Sequence, residues 1–381
     1  MHCRQLPYTG WQFDREALIF DIGAGITLNR AAKADGVNVL NSWAGARVAV
    51  TGVAGTIGKE LVHQLLNLGV KEVVGIDNNE GELFFLNEYY RDRSEVQLYL
   101  GDLRDRDSLV DRFRGCRIVL HTAALKHVGL CEQSPRDAVY TNVLGTQNVI
   151  DAATTAKVER VVLTSSDKAV NPTNVMGTSK LMAERLMTAA ANANAGGSGP
   201  IFGSTRFGNV LGSRGSVVPL FRQQILAGGP VTLTHPDMTR FIMSLETAVQ
   251  LVLDSTFHFR GGEVFIMKMR VAFIHDIARV MIDELAPRAG YDPQKIKIET
   301  VGARPGEKMF EELMNDEEAR HALESSQYFI ILPALRAHHD GGRLEYPGLE
   351  TRVAKKPYNS ANDVALDYTE LRTYLAANRL I

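Results

Sequence analysis

Residues 47–58, Arg-Val-Ala-Val-Thr-Gly-Val-Ala-Gly-Thr-Ile-Gly, constrain the fold more than any other stretch. An apolar run leads into glycines at 52, 55 and 58, and the amphipathic segment Lys59 to Leu68 follows. Strand, tight turn and helix in that order form a dinucleotide-binding arrangement. Gly52 permits the turn, Gly55 lets the backbone approach a pyrophosphate, and Gly58 allows the helix to pack closely on the strand. Thr56 and Ile57 open the helix, whose first amides and positive dipole end face the phosphates.

The next apolar runs keep the same plan. Glu72 to Asp77 reads as a second strand ending in an acid roughly twenty residues after the last glycine, where a carboxylate accepts both ribose hydroxyls and repels a 2′-phosphate, so NAD is favoured over NADP. A helix-capping role for Asp77 before Asn78-Asn79-Glu80 is the competing account, and the two are compatible. Strands at Val96–Leu100 and Arg117–His121 follow. The first delivers Asp102 and Leu103 to the adenine edge. The second delivers the small pair Ala123 and Ala124 beside the pyrophosphate, then Lys126 and His127 at the same sheet edge. A helix is expected from Pro135 through Ala153, with Asn142 fixing backbone geometry on it.

Chemistry concentrates at residues 164–184. The apolar run Arg160–Thr164 predicts a buried parallel strand whose carboxyl end carries Ser165, Ser166, Asp167 and Lys168, where ligands of open α/β sheets bind. After Asn171-Pro172, a helix from near Val175 through Glu184 puts Met176 and Lys180 one turn apart on one face. Serine, aspartate and lysine are also ordinary loop formers, so the cluster gains weight only from the cofactor motif upstream.

Farther along come the strand Ile201–Arg206 and a glycine-studded loop from Phe207 to Pro219 that holds Asn209, Arg214, Ser216 and Val217. Beyond lie Met238-Thr-Arg240-Phe241 and Arg304-Pro-Gly-Glu307-Lys308. Guanidinium groups offer paired donors to phosphate oxygens, so Arg214, Arg240 and Arg304, on separate loops, are candidates to clamp a diphosphate. Plain surface charge is the alternative for each.

Composition excludes several classes. The chain has 381 residues, is 45% hydrophobic and 23% charged, and carries a net charge of −2, so no basic excess points to nucleic acid. Cys3, Cys116 and Cys131 form no C-x-x-C pair, which suits a reducing cytosol and argues against a structural metal site. No stretch approaches membrane-spanning length and the start lacks the pattern of a signal peptide, so the expectation is a cytoplasmic protein without a membrane span.

Together these residues resemble the extended short-chain dehydrogenase/reductase superfamily, and within it the nucleotide-sugar 4,6-dehydratases of bacterial surface-glycan synthesis. The resemblance covers about residues 46–330. It rests on the glycine motif, Ala123-Ala-Leu-Lys-His-Val128, Ser166-Asp-Lys-Ala169, Asn209-Val with Ser213-Arg-Gly-Ser216, Met238-Thr-Arg-Phe241 and Arg304-x-Gly-Glu-Lys308. The superfamily's Tyr-x-x-x-Lys is here Met176-x-x-x-Lys180. A thioether has no acidic proton and cannot serve as the base, but the replacement is similar to that of a subgroup of UDP-N-acetylglucosamine 4,6-dehydratases.

The resemblance implies a Rossmann-type doubly wound parallel sheet with a smaller α/β substrate-binding domain. The expected division is an N-terminal extension at 1–45 and an NAD-binding domain at 46–206, to which 238–275 returns. A substrate region at 207–237 and 276–335 and a C-terminal segment at 336–381 complete it. The implied chemistry is internal redox with NAD on a UDP-sugar. Hydride leaves carbon 4, the ketone acidifies the carbon 5 proton, water departs from carbon 6, and hydride returns there. Lys168 is expected to remove the carbon 5 proton and Asp167 to protonate the departing hydroxyl. Ser166, a water or Asp167 takes over the missing tyrosine's proton, and Lys180 holds the nicotinamide ribose. Lys126, His127, Asn209, Arg214, Ser216, Val217, Arg240, Arg304 and Glu307 are expected around the UDP-sugar, in a homo-oligomer by analogy. An epimerase, a dehydratase that inverts carbon 5, and a non-catalytic NAD-binding regulator are the rival readings.

Overall fold

The computed structural model describes residues 42–194, 196–197, 199–213, 216–302, 307–334 and 345–381. Six strands, β1 (Arg47–Thr51), β2 (Glu72–Asp77), β3 (Val96–Leu100), β4 (Ile118–His121), β5 (Arg160–Ser166) and β6 (Ile201–Phe207), lie side by side in the order 3-2-1-4-5-6. Each pairs in parallel with its neighbours. Parallel strands buried on both faces need apolar side chains on both, which is why they read as near-continuous hydrophobic runs. Along β1 the pleat sends Val48 and Val50 into one core, with Leu61 and Leu65 of the helix Thr56–Asn67, and Ala49 into the other, with Phe113 and Phe202. The architecture is the doubly wound α/β fold that the sequence predicts. Its strand order reverses between β1 and β4, and the crevice at that reversal is where such sheets take ligands.

The boundaries differ in informative ways. Trp43, assigned by sequence to the extension, is fully buried and packs edge-on against Phe257 at 5.0 Å, so the domain begins before residue 46. Expectations for residues 1–41 lie outside the described residues. The strand Val264–Met267 pairs in parallel with β6 in the main sheet. Tyr328–Ile331, Ala322–Glu324 and Arg352–Val353 join the same sheet, as antiparallel additions from segments expected in the substrate region and the C-terminal segment. Conversely, Thr239–Met243 joins Arg270–Phe273 and Asn209–Val210 in a separate three-stranded sheet. Above it, Phe221, Ile225, Ile277 and Met281 share a second core with Leu371 and Leu375 of the helix Tyr368–Ala377. The C-terminal segment thus completes the smaller domain.

Two helices depart from expectation. The segment Pro135–Thr155 is not one α-helix but Pro135–Ala138, a π-helical stretch Val139–Leu144 and Gly145–Thr155. The wider π turn contains Asn142, whose side chain bonds outside its own helix. The lysine-bearing helix runs Val175–Ala193, past Glu184, because its alanine-rich second half is good helix former. Among the described residues no helix is long and apolar enough to cross a membrane.

Candidate active site

A groove of about 470 Å³ opens at the reversal of strand order. Gly52, Gly55, Thr56, Ile57, Gly58, Asp77, Asp102, Leu103, Ala123, Ala124, Lys126 and His127 all line it. The glycines divide the work as the motif demands. Gly52 has φ +73°, and a Cβ there would stand 2.6 Å from the Ala123 amide nitrogen. A Cβ on Gly58 would strike Gly52 and Val53, so this glycine sets the helix down on the strand. Gly55 meets only the Gly52 carbonyl, at 3.2 Å, which leaves its open side to the groove.

The carboxylates at the rim are already engaged. Asp77 accepts the Ala54 N–H at 2.9 Å and the Asn79 N–H at 3.0 Å, clamping the glycine turn to the end of β2. Capping of the following helix falls instead to Asn79, which accepts from Glu82 N–H. Asp102 forms a two-point pair with Arg104, at 2.9 and 2.5 Å, and that guanidinium holds its carboxyl below the usual range. The carboxylate meant for the adenine edge therefore faces an arginine.

Asn142 does not line the groove. It accepts the Leu125 N–H at 2.8 Å and donates to the Leu125 carbonyl and to Ser179 Oγ, each at 2.9 Å, and Ser179 Oγ donates in turn to the Met176 carbonyl. This chain ties the strand-end loop to the lysine helix. Met176 is buried among Cys131, Ala138, Val128 and Val175, where a thioether fills space and a tyrosine hydroxyl would need a partner. One turn on, Lys180 Nζ donates to the Thr164 carbonyl at 2.6 Å. Burial pushes Lys180 down to about 8, with Glu184 resisting. Beneath it His121, between Thr51 Oγ1 and Thr146 Oγ1, is lowered by burial and then by Lys180 to about 3 and stays neutral.

Ser166, Asp167 and Lys168 meet at the carboxyl end of β5. Ser166 Oγ donates to Asp167 Oδ1 at 2.5 Å, and Lys168 Nζ donates to the two Asp167 oxygens at 3.0 and 3.3 Å. The Asp167 side chain is 1% exposed and that of Lys168 is 28% exposed, so the pair is rooted in the protein with the amine at its open end. Burial opposes the charge on Lys168, but Asp167 and Glu311 outweigh it and hold the pKa above the ordinary lysine value. The resting side chain is an ammonium.

Arg240, expected on the diphosphate, is engaged within the protein. Arg240 is 6% exposed. Its guanidinium donates to the carbonyls of Thr239 and Lys308 and lies 3.4 Å from Glu311 and 3.8 Å from Glu307. It ties the small sheet to the segment Glu307–Glu311 rather than reaching into open space. Glu307 also accepts from Thr234 Oγ1, and Asn209 pairs in the small sheet with Ile242. Ser216 precedes the helix Val217–Leu226, with Val217 packed against the second core. Arg214 and Arg304 lie outside the described residues.

Sequence reasoning missed three residues here. Glu311 is 4% exposed and touches both Lys168 and Arg240. Lys308 donates to the Val170 carbonyl at 2.9 Å, just past the Asp167–Lys168 pair. Gly177 backs directly onto the Lys168 carbonyl. The one signal available was the acid pair Glu311-Glu312 close behind the Arg304–Lys308 motif. Among the described residues no His, Cys, Asp and Glu cluster has the makings of a metal site.

A family model described as "Polysaccharide biosynthesis protein" matches residues 48–333. The chain belongs to the polysaccharide biosynthesis protein family. An uncharacterized membrane protein of Methanocaldococcus jannaschii is 48% identical over 78% of this chain and 88% of its own. A Rickettsia rickettsii protein named UDP-glucose 4-epimerase is 36% identical, covering 86% of this chain and 94% of its own. The X-ray structure of Pen from Bacillus thuringiensis superposes with a TM-score of 0.80 at 40% identity, over 88% of this chain and 98% of that one. Of two further polysaccharide-biosynthesis relatives, from Bacillus subtilis and Staphylococcus aureus, the chain spans only 47% and 45% of the length. Proteins of this fold have been solved with NAD bound.

Proposed function

We propose that this member of the family is an NAD-dependent dehydratase of a UDP-sugar, converting UDP-N-acetylglucosamine to the UDP-4-keto-6-deoxy sugar for surface glycan synthesis. The observation that carries the reading is the Asp167–Lys168 pair, 3.0 Å apart and anchored by Ser166 at the end of β5. A carbon 4 epimerase needs redox alone, whereas loss of water needs an acid and a base besides.

NAD is the cofactor, and when bound it supplies an acceptor and then a donor of hydride. The residues fit it: a Cβ on Gly52 or Gly58 would collide with neighbouring backbone, while Gly55 leaves the helix start open to a pyrophosphate. Asp77 stands at the rim for the adenosine ribose, and Lys180 presents a cation for the nicotinamide ribose.

Lys168 must shed a proton before it can accept one from carbon 5. It loses that proton to solvent, while Asp167 receives the carbon 4 hydroxyl proton by way of Ser166 Oγ, so the pair becomes an amine beside an acid. Lys168 then takes the carbon 5 proton and Asp167 protonates the departing hydroxyl. Each such partner contributes roughly 10²- to 10⁴-fold. Ser166 Oγ, 2.5 Å from Asp167, offers the carbon 4 hydroxyl proton a route that bypasses Met176. Lys126, His127, Asn209, Arg214, Ser216, Val217, Arg304 and Glu307 are proposed to hold the UDP-sugar, with Arg240 bracing Glu307 and Glu311. A homo-oligomer is proposed by analogy with the family.

The relative named UDP-glucose 4-epimerase, matched over nearly its whole length, supports a second reading in which only carbon 4 is inverted. NMR of the product formed from UDP-N-acetylglucosamine in deuterated water separates the two. Dehydration gives a 4-keto-6-deoxy sugar with solvent deuterium at carbon 5, and its stereochemistry reports retention or inversion there. A carbon 4 epimer with carbon 6 untouched would defeat the proposal, and NAD binding without turnover would favour a regulator.

A further inference from the structure

Glu311 is a buried acid in contact with the Asp167–Lys168 pair to which the proposed mechanism gives no part. Its main chain is pinned on both sides. The Glu311 N–H donates to Ser360 Oγ at 3.0 Å, the Ser360 N–H donates to the Glu311 carbonyl at 2.9 Å, and Ser360 Oγ bonds Thr239 Oγ1 at 3.0 Å. The carboxylate thus has a fixed reach: Oε1 lies 3.5 Å from Lys168 Nζ and 3.4 Å from Arg240 Nε. Arg240 cannot follow a moving partner, because carbonyls of the neighbouring segment hold it.

We infer that Glu311 is a positioning residue for the reaction, a second anchor that acts through Lys168 to fix where its amine stands and how tightly it keeps its proton. The inference rests on reading Asp167 and Lys168 as the acid–base pair. A lysine held only by the residue before it in sequence swings on a flexible four-carbon stem. A carboxylate from a distant segment, itself rigid, confines the swing, and confinement of a reacting atom is where much of a catalytic rate lies.

The charges facing Glu311 are Asp167 and Lys168 from the turn after β5, Arg240 from the small sheet, and Lys308 from its own segment. Burial and then Asp167 raise its pKa, while Lys168, Arg240 and Lys308 oppose the rise. Glu311 in turn helps hold Lys168 as an ammonium. Removing its charge lowers the pH at which Lys168 becomes an amine.

The test uses the full chain loaded with NAD, as Glu311→Gln and Glu311→Asp, with Lys168→Ala for reference. Two readouts with UDP-N-acetylglucosamine are compared: formation of reduced nicotinamide, and dehydration with deuterium uptake at carbon 5 across pH. Glu311→Gln should reduce nicotinamide to within about twofold of the parent, with KM little changed. Its plateau dehydration rate should fall about tenfold or more, and the rising limb of its pH profile should move to lower pH. Glu311→Asp should recover part of the rate. An unchanged plateau and limb would overturn the inference. So would an equal fall in both readouts for both variants, which marks a merely structural residue. Undiminished dehydration by Lys168→Ala would instead sink the acid–base reading beneath it.

Discussion

The carbonyl oxygen of Lys168 fills the space that a side chain on Gly177 would need. Gly177 lies in the first turn of the lysine helix, directly after Met176, so the helix that presents Lys180 also forms the floor under the Asp167–Lys168 turn. An alanine there must push against backbone, which cannot rotate out of the way. Gly177→Ala is expected to lower kcat on the order of 10²-fold, the scale of a misplacement near 1 Å. NAD affinity should hold within a few-fold, since the pyrophosphate and adenosine end of the groove is built from other segments. Steady-state kinetics alongside a cofactor titration check the split, and equal losses in both would count against it.

The proposed contact of Lys180 with the nicotinamide ribose predicts that cofactor binding is sensitive to pH. Its folded value, about 8, lies below the ordinary 10.5 because burial disfavours the charge. Between those values the unfolded chain keeps a proton that the folded one has lost, so this group makes the apo protein more stable as pH rises through the window. Affinity for NAD is expected to run the other way, because the cation proposed to meet the ribose disappears above about 8. Calorimetric titration should give a dissociation constant that rises through that pH. Lys180→Met should bind weakly at every pH, with the dependence gone.

The sequence made the cofactor half of the site legible because its requirements are local. A tight turn, a close helix and an acid after the next strand each leave their mark within one βαβ unit, and Gly52, Gly58 and Asp77 all line the groove. Ser166, Asp167 and Lys168 were legible for the same reason, being consecutive at a strand end. The partners that surround Lys168 were not. Glu311 and Arg240 acquire meaning only from tertiary neighbours far away in sequence, and a buried arginine reads in sequence like an exposed one. The π turn at Asn142 was hidden too, since the side chain it carries bonds the distant Leu125 backbone, which no local pattern announces.

Arg206 illustrates what sequence leaves dark. It is the second-last residue of the buried strand β6, 1% exposed, and forms paired bonds with Glu184 of the lysine helix, at 2.9 and 2.7 Å, and with Glu318, at 2.9 and 2.7 Å. It also donates to the Leu313 carbonyl, in the strand that follows Glu311. Arg206→Met strands two carboxylates in the interior and should cost about 3–5 kcal/mol in urea unfolding. Adding Glu184→Gln and Glu318→Gln should recover much of that loss. A single-variant change below about 1 kcal/mol would mean that the triad is less buried than its geometry.

Asp254 lies far from the chemistry and sets a pH dependence of opposite sign to that of most acids. On the helix Leu245–His258 it is raised to about 6, first by burial, with bonds from Gln250 and Tyr328 pulling it down only in part. An acid whose folded pKa exceeds its unfolded value, near 3.8, binds a proton more tightly when folded. Its contribution favours folding below the unfolded value and is lost as pH rises to the folded one. At neutral pH the carboxylate is therefore a standing penalty. Asp254→Asn keeps an oxygen for both partners and removes the charge. It should stabilise the protein at pH 7 on the order of 1–2 kcal/mol, after discounting for the part of the residue that water reaches. At pH 4, where the wild-type side chain is already protonated in the folded state, the gain should vanish. Thermal denaturation of both proteins at the two pH values reads the difference directly, and an equal gain at both would assign the effect to packing rather than to ionisation.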